Sequence, residues 1–156
     1  MKIDIGITET GRHALVEPLS RLLADTYTVY LKTHNFHWNV TGPMFTTLHN
    51  LFMAQYTELS LAVDEIAERI RALGAPAPGS YADFARLSTV RDAEGVPRAQ
   101  DMITTLVADH GTLVATARGV VEAAEAAGDI VSVDLATRRT DVSQKAAWML
   151  RSHLEG

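Results

Sequence analysis

Two histidines and two carboxylates in this sequence have the types and spacings of metal ligands. His37 and His49 lie on either side of a short turn at 41–43, and Asp64 and Glu68 follow, four residues apart. Two imidazoles and two carboxylates, with no thiol, form a mixed nitrogen and oxygen ligand set. Such a set suits a divalent transition metal, non-haem iron included. The sequence therefore predicts a metal-binding site.

Each pair also has a plainer structural explanation. Asp64 and Glu68 share one face of a helix, where solvent and the nearby Arg69 and Arg71 could be their only partners. A single buried histidine is commonly a hydrogen-bonded core residue. A tight turn, however, brings the end of one helix beside the start of the next, so that His37 and His49 lie together. Two adjacent imidazoles are less easily explained by packing, which favours the metal-site interpretation.

The spacing prevents all four residues from binding one metal within a single chain. His49 and Asp64 are 15 residues apart on one predicted helix, which is about 22 Å at ~1.5 Å of rise per residue. Metal–ligand bonds are only about 2 Å long. The two residues nevertheless point within about 60° of each other around the helix axis. A second chain packed antiparallel would set the two histidines against its own carboxylates, and a two-fold dimer makes this contact twice.

Four long stretches with apolar residues at spacings of three and four predict amphipathic helices, and sustained strand-like alternation is absent. Their predicted ranges are 8–39, 44–73, 98–127 and 131–154. Glycine and proline separate them: Gly42 and Pro43 lie between the first and second, Gly74 ends the second, and Gly128 precedes the fourth. The predicted fold class is therefore all-α.

The lengths of the connections decide the topology. The first and last are short, so the helices that they join are antiparallel neighbours. The middle connection, 74–97, is long enough to cross the bundle at ~3.3 Å per extended residue, which lets the second and third long helices run parallel. A four-helix bundle with one long crossover is the ferritin-like arrangement. Residues 80–87 are predicted to form a short extra helix within the crossover.

Composition limits the classes of function. The chain has 156 residues, of which 47% are hydrophobic and 21% are charged, and it contains no cysteine. Disulfides, thiolate zinc sites and cysteine nucleophiles are therefore excluded. No apolar run approaches the length of a membrane span and the N-terminal residues contain no signal core, so a cytoplasmic protein is expected. The net charge of −5 and the lack of a basic cluster argue against tight nucleic-acid binding.

A set of residues around the candidate ligands resembles the signature of the Dps family, the DNA-protection-during-starvation proteins of the ferritin superfamily. The matching residues are His37-Trp38-Asn39-Val40, Gly42-Pro43, Phe45, Leu48-His49, Phe52, Tyr56, Leu59, Asp64 and Ala67-Glu68-Arg69-Ile70, with Trp148-Met149-Leu150-Arg151 near the end. The likeness also extends to length, helix order and crossover. It implies that residues 1–156 form a single ferritin-like domain.

The resemblance implies an assembly and an activity. Family members form hollow shells of twelve subunits, built from two-fold dimers, with ferroxidase centres between the paired subunits. His37 and His49 would then come from one subunit, and Asp64 and Glu68 from its partner. The centre would oxidise Fe(II) with hydrogen peroxide or dioxygen and the shell would store ferric mineral, which protects against oxidative stress. Trp38 would lie beside the iron, either as a redox-active residue or as part of the apolar interface.

The family also admits iron through acidic pores at its three-fold axes, near the start of the last helix. Asp129 and Asp134 are the candidates for this role here. A helix N-cap is an equally good explanation for Asp129, because an aspartate that precedes a helix accepts hydrogen bonds from its first N–H groups.

Three other functions remain open from the sequence. The first is a DNA-binding, nucleoid-compacting protein with secondary iron chemistry. It predicts basic tails, which are missing, and twelve acidic subunits would repel phosphate, so DNA binding is expected to be weak or absent. The second is a helical bundle without a metal, which requires the four ligand positions to be accidental. The third is a shell that binds zinc or another first-row metal at the same residues without turnover.

Overall fold

Five helices make up the computed structural model, which describes residues 2–155. They are α1 (Glu9–Asn39), α2 (Phe45–Ala72), α3 (Tyr81–Leu87), α4 (Ala99–Ala127) and α5 (Ile130–Arg151). No strand occurs among these described residues. The all-α prediction is confirmed, as are the four long helices and the short helix in the crossover. The predicted ends lie within one residue of the observed ones except at α5, which ends at Arg151 instead of 154.

The long helices form a ferritin-like bundle. α1 packs along α2 and α4, α4 packs along α5, and α3 lies against α1. The short connections after α1 and α4 make each joined pair antiparallel, while the connection between α2 and α4 crosses the length of the bundle. This topology confirms the predicted long crossover. As a consequence, the end of α1 and the start of α2, which carry the two candidate histidines, meet at one end of the bundle.

The core follows the inner faces of the long helices. Fully buried apolar side chains recur at spacings of three and four residues, as the ~3.6-residue helical period requires. They include Leu15, Leu19, Leu22, Val29, Phe36, Leu48, Phe52, Leu59, Ile66, Ile70, Met102, Leu106 and Val120. Burial of this apolar surface is the main stabilising term, and it holds α1 and α2 in fixed register. None of the helices in residues 2–155 has the length and apolarity needed to cross a membrane.

One buried carboxylate, Asp25 on α1, fixes the crossover to the bundle. Its side chain is 0% exposed. It accepts hydrogen bonds from the N–H groups of Thr89 and Val90 and from the hydroxyls of Ser88, Thr89 and Thr116, at 2.6–3.1 Å. Because Thr116 belongs to α4, the same carboxylate ties α1, α4 and the end of the crossover together.

A buried histidine on α4 stands apart from this pattern. His110 is 1% exposed, and neither of its ring nitrogens has a hydrogen-bond partner in the described residues. The pKa of His110 is lowered to about 4, mainly by burial and to a smaller extent by the positive charge of the nearby Arg139. Both effects oppose a positive charge, so the ring is neutral in the folded protein at physiological pH.

Acid is therefore expected to destabilise the protein through His110. The unfolded chain, with an ordinary histidine pKa of ~6.5, binds a proton before the folded chain does, so stability falls as pH drops from ~6.5 towards 4. A shift of about two pKa units corresponds to roughly 2–3 kcal/mol. Between pH 7 and pH 4.5, the free energy of unfolding of His110→Leu should therefore fall by roughly 2–3 kcal/mol less than that of wild type. Denaturant titrations at pH 7 and pH 4.5 measure the free energy of unfolding at each pH. The matched control is His13→Leu, since His13 is exposed. Equal acid sensitivity of His110→Leu and wild type would contradict this assignment.

Candidate metal centre

The structure brings His37 and His49 into direct contact. His37 lies in the last turn of α1 and His49 in the second turn of α2. Their rings are stacked, with centroids 3.8 Å apart and planes inclined by 18°. The tight turn between the helices produces this contact, as the sequence predicts. The rings of Phe45 and Tyr56 lie beside the pair, with centroids 5.0 Å from His49 and 5.2 Å from His37 respectively.

A reciprocal pair of hydrogen bonds orients the two imidazoles. Nδ1 of His37 is 2.7 Å from the carbonyl oxygen of His49, and Nδ1 of His49 is 2.7 Å from the carbonyl oxygen of His37. A carbonyl oxygen only accepts, so both Nδ1 atoms must carry the proton. In each neutral ring the lone pair is then on Nε2, the atom free to bind a metal. Metal-binding histidines are commonly oriented by this kind of contact from the other ring nitrogen.

The carbonyl oxygen of His37 is available as an acceptor because it lies at the C-terminal end of α1. The carbonyl of His37 is among the last four of α1, which have no N–H partner within the helix. The side chain of His49 satisfies it, so the contact also caps α1. The histidine pair therefore has a structural role in the turn in addition to any ligand role.

Asp64 and Glu68 project from α2 into solvent. Both are exposed, and neither takes part in a salt bridge within the described residues, whereas Glu65 between them binds an arginine of α5. The plainer explanation offered Arg69 and Arg71 as their partners. Arg69 instead donates to both carboxylate oxygens of Asp129, at 2.8 Å, and Arg71 donates to the carbonyl oxygen of Ala75 at 3.0 Å. Within residues 2–155, the two carboxylates thus have no cation paired with them.

The histidines and the carboxylates are two separate half-sites within one chain. His49 and Asp64 lie in opposite parts of the 28-residue helix α2, about 22 Å apart at ~1.5 Å per residue, and His37 lies beside His49 at the end of α1. Across residues 2–155, no three His, Asp or Glu side chains come close enough together to hold a metal ion. A metal bound by all four residues would therefore need ligands from a second chain.

Known proteins with this fold are clearly related to the chain. The sequence pattern of the ferritin-like domain family matches residues 16–156. DNA protection during starvation protein 2 from Bacillus anthracis is 34% identical over 140 residues, which cover 90% of this chain and 96% of the relative. The chain belongs to the Dps family. An uncharacterised low temperature-induced protein of Nostoc sp. is 38% identical over 157 residues, which cover 99% of this chain and 88% of the relative.

Solved structures agree with this assignment. The Dps protein of Vibrio cholerae O1, described as a member of a broad superfamily of ferritin-like diiron-carboxylate proteins, superposes with a TM-score of 0.93 at 29% identity, covering 99% of this chain and 98% of that chain. Dps from Thermosynechococcus elongatus superposes with a TM-score of 0.91 at 32% identity, covering 94% of each chain. The ferritin-like fold predicted for this Dps-family chain is therefore confirmed.

Apolar side chains are exposed around both half-sites of this Dps-family chain. Trp38 is 60% exposed beside the histidines, and Leu61 is 70% exposed on the part of α2 that carries Asp64. Phe45 and Met53, also on α2, are exposed as well. Large apolar residues that share one exposed surface are typical of a protein–protein contact. The surface that presents the four candidate ligands thus has the character of an interface.

His34 lies in an aromatic stack. Its ring centroid is 3.9 Å from that of Trp38 and 4.1 Å from that of Tyr56, and its side chain is only partly exposed. The rings of Trp38 on α1 and Tyr56 on α2 therefore cover part of the imidazole. Burial, followed by the proximity of His37, lowers the pKa of His34.

Asp129 and Asp134, the predicted pore residues, both have internal partners. Asp129 is buried and accepts from the backbone N–H groups of Val131 and Ser132, which confirms the N-cap alternative. Burial by itself would raise the pKa of Asp129, but hydrogen bonds from Arg69 and Ser132 outweigh it and hold the pKa below its ordinary value. Asp134 is exposed and binds an arginine one helical turn later. A pore role for either residue stays a prediction.

Proposed function

We propose that this chain is the subunit of a ferroxidase and iron-storage shell. The observation that carries the proposal is the reciprocal contact of both Nδ1 atoms with backbone carbonyl oxygens in two stacked imidazoles, which in the neutral rings leaves Nε2 of each as the atom available to a metal. Imidazoles oriented in this way bind a metal without a change of tautomer. The exposed carboxylates of Asp64 and Glu68 are available as the oxygen ligands.

A second subunit completes the centre in this proposal. In a two-fold dimer, the histidines of each subunit face the carboxylates of the other, and the contact occurs twice. The exposed apolar surface around Trp38 and Leu61 supports such a contact. Residues 1–156 act as one ferritin-like domain, and the dimers assemble further into the dodecameric shell that the family resemblance implies.

Iron is the substrate of this centre. The two imidazoles bind Fe(II) and leave coordination positions for an oxidant. The carboxylates favour Fe(III), because their negative charges stabilise a trivalent ion more than a divalent one. With hydrogen peroxide as the oxidant, two Fe(II), one peroxide and two protons give two Fe(III) and two water molecules. Both electrons come from iron, so that no hydroxyl radical is released in the balanced reaction.

Protection of DNA follows from this chemistry without a need for DNA binding. Each chain carries a net charge of −5, so a shell of many chains is strongly acidic and repels the phosphate backbone. Removing iron and peroxide together suppresses hydroxyl-radical formation around DNA. Compaction of DNA by the shell, the alternative function, would require a basic surface that this composition does not favour.

Replacement of both histidines is expected to abolish fast iron oxidation. Fe(II) is mixed anaerobically with the protein, hydrogen peroxide is added, and Fe(III) formation is followed by absorbance. The His37→Ala/His49→Ala variant should oxidise iron at least about tenfold more slowly than wild type, because both nitrogen ligands are lost. His13→Ala, which removes an exposed histidine far from the turn, should match the wild type.

Two results would contradict the proposed activity. An unchanged rate in the double variant would mean that oxidation occurs at another place. Tight binding of Zn(II) by the wild type, combined with iron oxidation no faster than in buffer alone, would favour a metal-binding shell without turnover.

A further inference from the structure

The four tyrosines of the chain form a series that leads away from the histidine pair. Starting from the ring of His37, the centroid of Tyr56 is 5.2 Å away, and the centroid of Tyr30 is 6.3 Å from Tyr56. Tyr27 is 5.5 Å from Tyr30. Tyr81 lines the same groove as Tyr27. The four residues are named here the tyrosine line.

The tyrosine line connects the histidine pair to an exposed phenol. Tyr27, Tyr30 and Tyr56 are partly buried, whereas Tyr81, at the start of α3, is 76% exposed. Tyr27 also stacks on Phe84 of α3, with ring centroids 4.6 Å apart. The line therefore runs from α2 along α1 to the crossover helix, with an aromatic contact at each step up to α3.

A second branch joins the tyrosine line to the exposed tryptophan. The ring of Trp38 is 3.9 Å from that of His34, and His34 stacks on Tyr56 at 4.1 Å. Trp38 and Tyr56 are thus linked through one imidazole. The other tryptophan, Trp148, is on α5, on a different part of the bundle, and it makes no aromatic contact with these residues.

We propose that the tyrosine line carries oxidising equivalents from the metal centre to the protein surface at Tyr81. This inference rests on the proposed function, which supplies hydrogen peroxide as the oxidant and Fe(II) as the reductant. Phenol side chains are suited to the task because they lose one electron and one proton together and form a neutral radical. Phenylalanine, of the same shape, cannot do so.

The electron balance shows when the line is needed. If one Fe(II) alone meets hydrogen peroxide, iron supplies one electron and tyrosine supplies the second electron and a proton. The O–O bond breaks, and the products are Fe(III), one hydroxide, one water and a tyrosyl radical. A second Fe(II) and a proton later restore the phenol. Once the hydroxide takes up a second proton, the sum is the two-iron reaction given above, and the histidine ligands are spared from oxidation.

The phenol of Tyr27 is protonated in the resting protein. Burial, and then the neighbouring Tyr81 and Tyr30, raise the pKa of the Tyr27 phenol above its ordinary value. Tyr27 therefore holds its proton at neutral pH and releases it only on oxidation.

The first test follows radicals during iron oxidation. Samples of wild type frozen shortly after Fe(II) and substoichiometric peroxide are mixed should show a tyrosyl radical by electron paramagnetic resonance. Tyr56→Phe should lower the radical yield at the remaining tyrosines several-fold and increase the oxidation of His37 and His49, measured by mass spectrometry. Trp148→Phe, the control, should give the wild-type radical yield. A radical yield in Tyr56→Phe equal to that of wild type would overturn the proposal.

The second test needs no iron. In the Trp148→Phe variant, Trp38 is the single tryptophan, and azide radicals produced by pulse radiolysis oxidise it. The tryptophan radical should convert to a tyrosyl radical, seen by transient absorption, and Tyr56→Phe in the same chain should slow this conversion several-fold. Tyr81→Phe should leave the first conversion unchanged but prolong the lifetime of the radical in the presence of ascorbate.

The two tests separate failure of the line from failure of the ferroxidase. Absence of tryptophan-to-tyrosine conversion, or conversion that Tyr56→Phe does not slow, overturns the tyrosine line whatever the iron assay gives. Normal conversion in a protein that does not oxidise Fe(II) supports the electron-transfer geometry and overturns only the proposed function.

Discussion

Mixing two inactive variants of this chain is expected to restore iron oxidation. One variant, His37→Ala/His49→Ala, keeps its carboxylates, and the other, Asp64→Asn/Glu68→Gln, keeps its histidines. Neither forms an intact centre in a homodimer. In a mixed dimer, one of the two centres combines the intact histidines of one subunit with the intact carboxylates of the other. The second centre of that dimer contains only altered ligands.

The size of the recovery is set by statistics. Equal amounts of the two variants, unfolded and refolded together, give mixed dimers as half of all dimers. Each mixed dimer has one intact centre of two, so the initial rate should reach about a quarter of the wild-type rate. This fraction is obtained from the initial rate of Fe(II) oxidation by hydrogen peroxide, measured at limiting iron. This change from near zero is the largest effect that the proposed geometry predicts.

A third variant supplies the matched control. The chain with all four ligands replaced cannot complete a centre with either partner, so its mixtures with the two double variants should stay inactive. If the two double variants recover no activity together although mixed dimers are present, the ligands do not combine across a subunit contact. The proposed centre would then be wrong even if the histidines are required.

Asp25→Asn is expected to cause a large loss of stability although it lies away from the metal centre. The carboxylate accepts hydrogen bonds on both oxygens from the crossover and from Thr116. An amide keeps the size but replaces one acceptor by an N–H₂ group that faces donors. Hydrogen bonds to a charged group contribute ~1.5–3 kcal/mol each, so the loss should be roughly 3–5 kcal/mol.

Denaturant unfolding and limited proteolysis measure this effect. The free energy of unfolding should fall, and cleavage in the crossover around Thr89 should become faster, because the segment loses its anchor on α1. Asp92→Asn is the control, since Asp92 is exposed in the same crossover and accepts only from the adjacent N–H of Ala93. Equal stability of Asp25→Asn and wild type would mean that the crossover is held mainly by packing of α3.

The periodicity of the sequence also contained signals for Asp25 and His110, although their roles could not be derived from it. Asp25 follows Leu22 by three residues and precedes Val29 by four, and His110 follows Leu106 by four, so both occupy core positions of their helices. Spacing of this kind predicts burial. It does not show that Asp25 accepts from five donors while His110 has no hydrogen-bond partner in the described residues. Hydrogen-bond partners lie on other helices or in the crossover, so the spacing within one helix cannot identify them.

The sequence by itself determined the helices, the crossover and the separation of the two half-sites of the candidate centre. These features are local: helical period, turn residues and rise per residue follow from neighbouring positions, so His49 and Asp64 could be placed about 22 Å apart without coordinates. The tertiary structure alone decided how the side chains are engaged. It showed the reciprocal contacts between Nδ1 and the backbone carbonyl oxygens of the paired histidines, the stack around His34, and the pairing of Arg69 with Asp129. Such contacts join residues distant in the chain, and only the packing of one helix on another selects them.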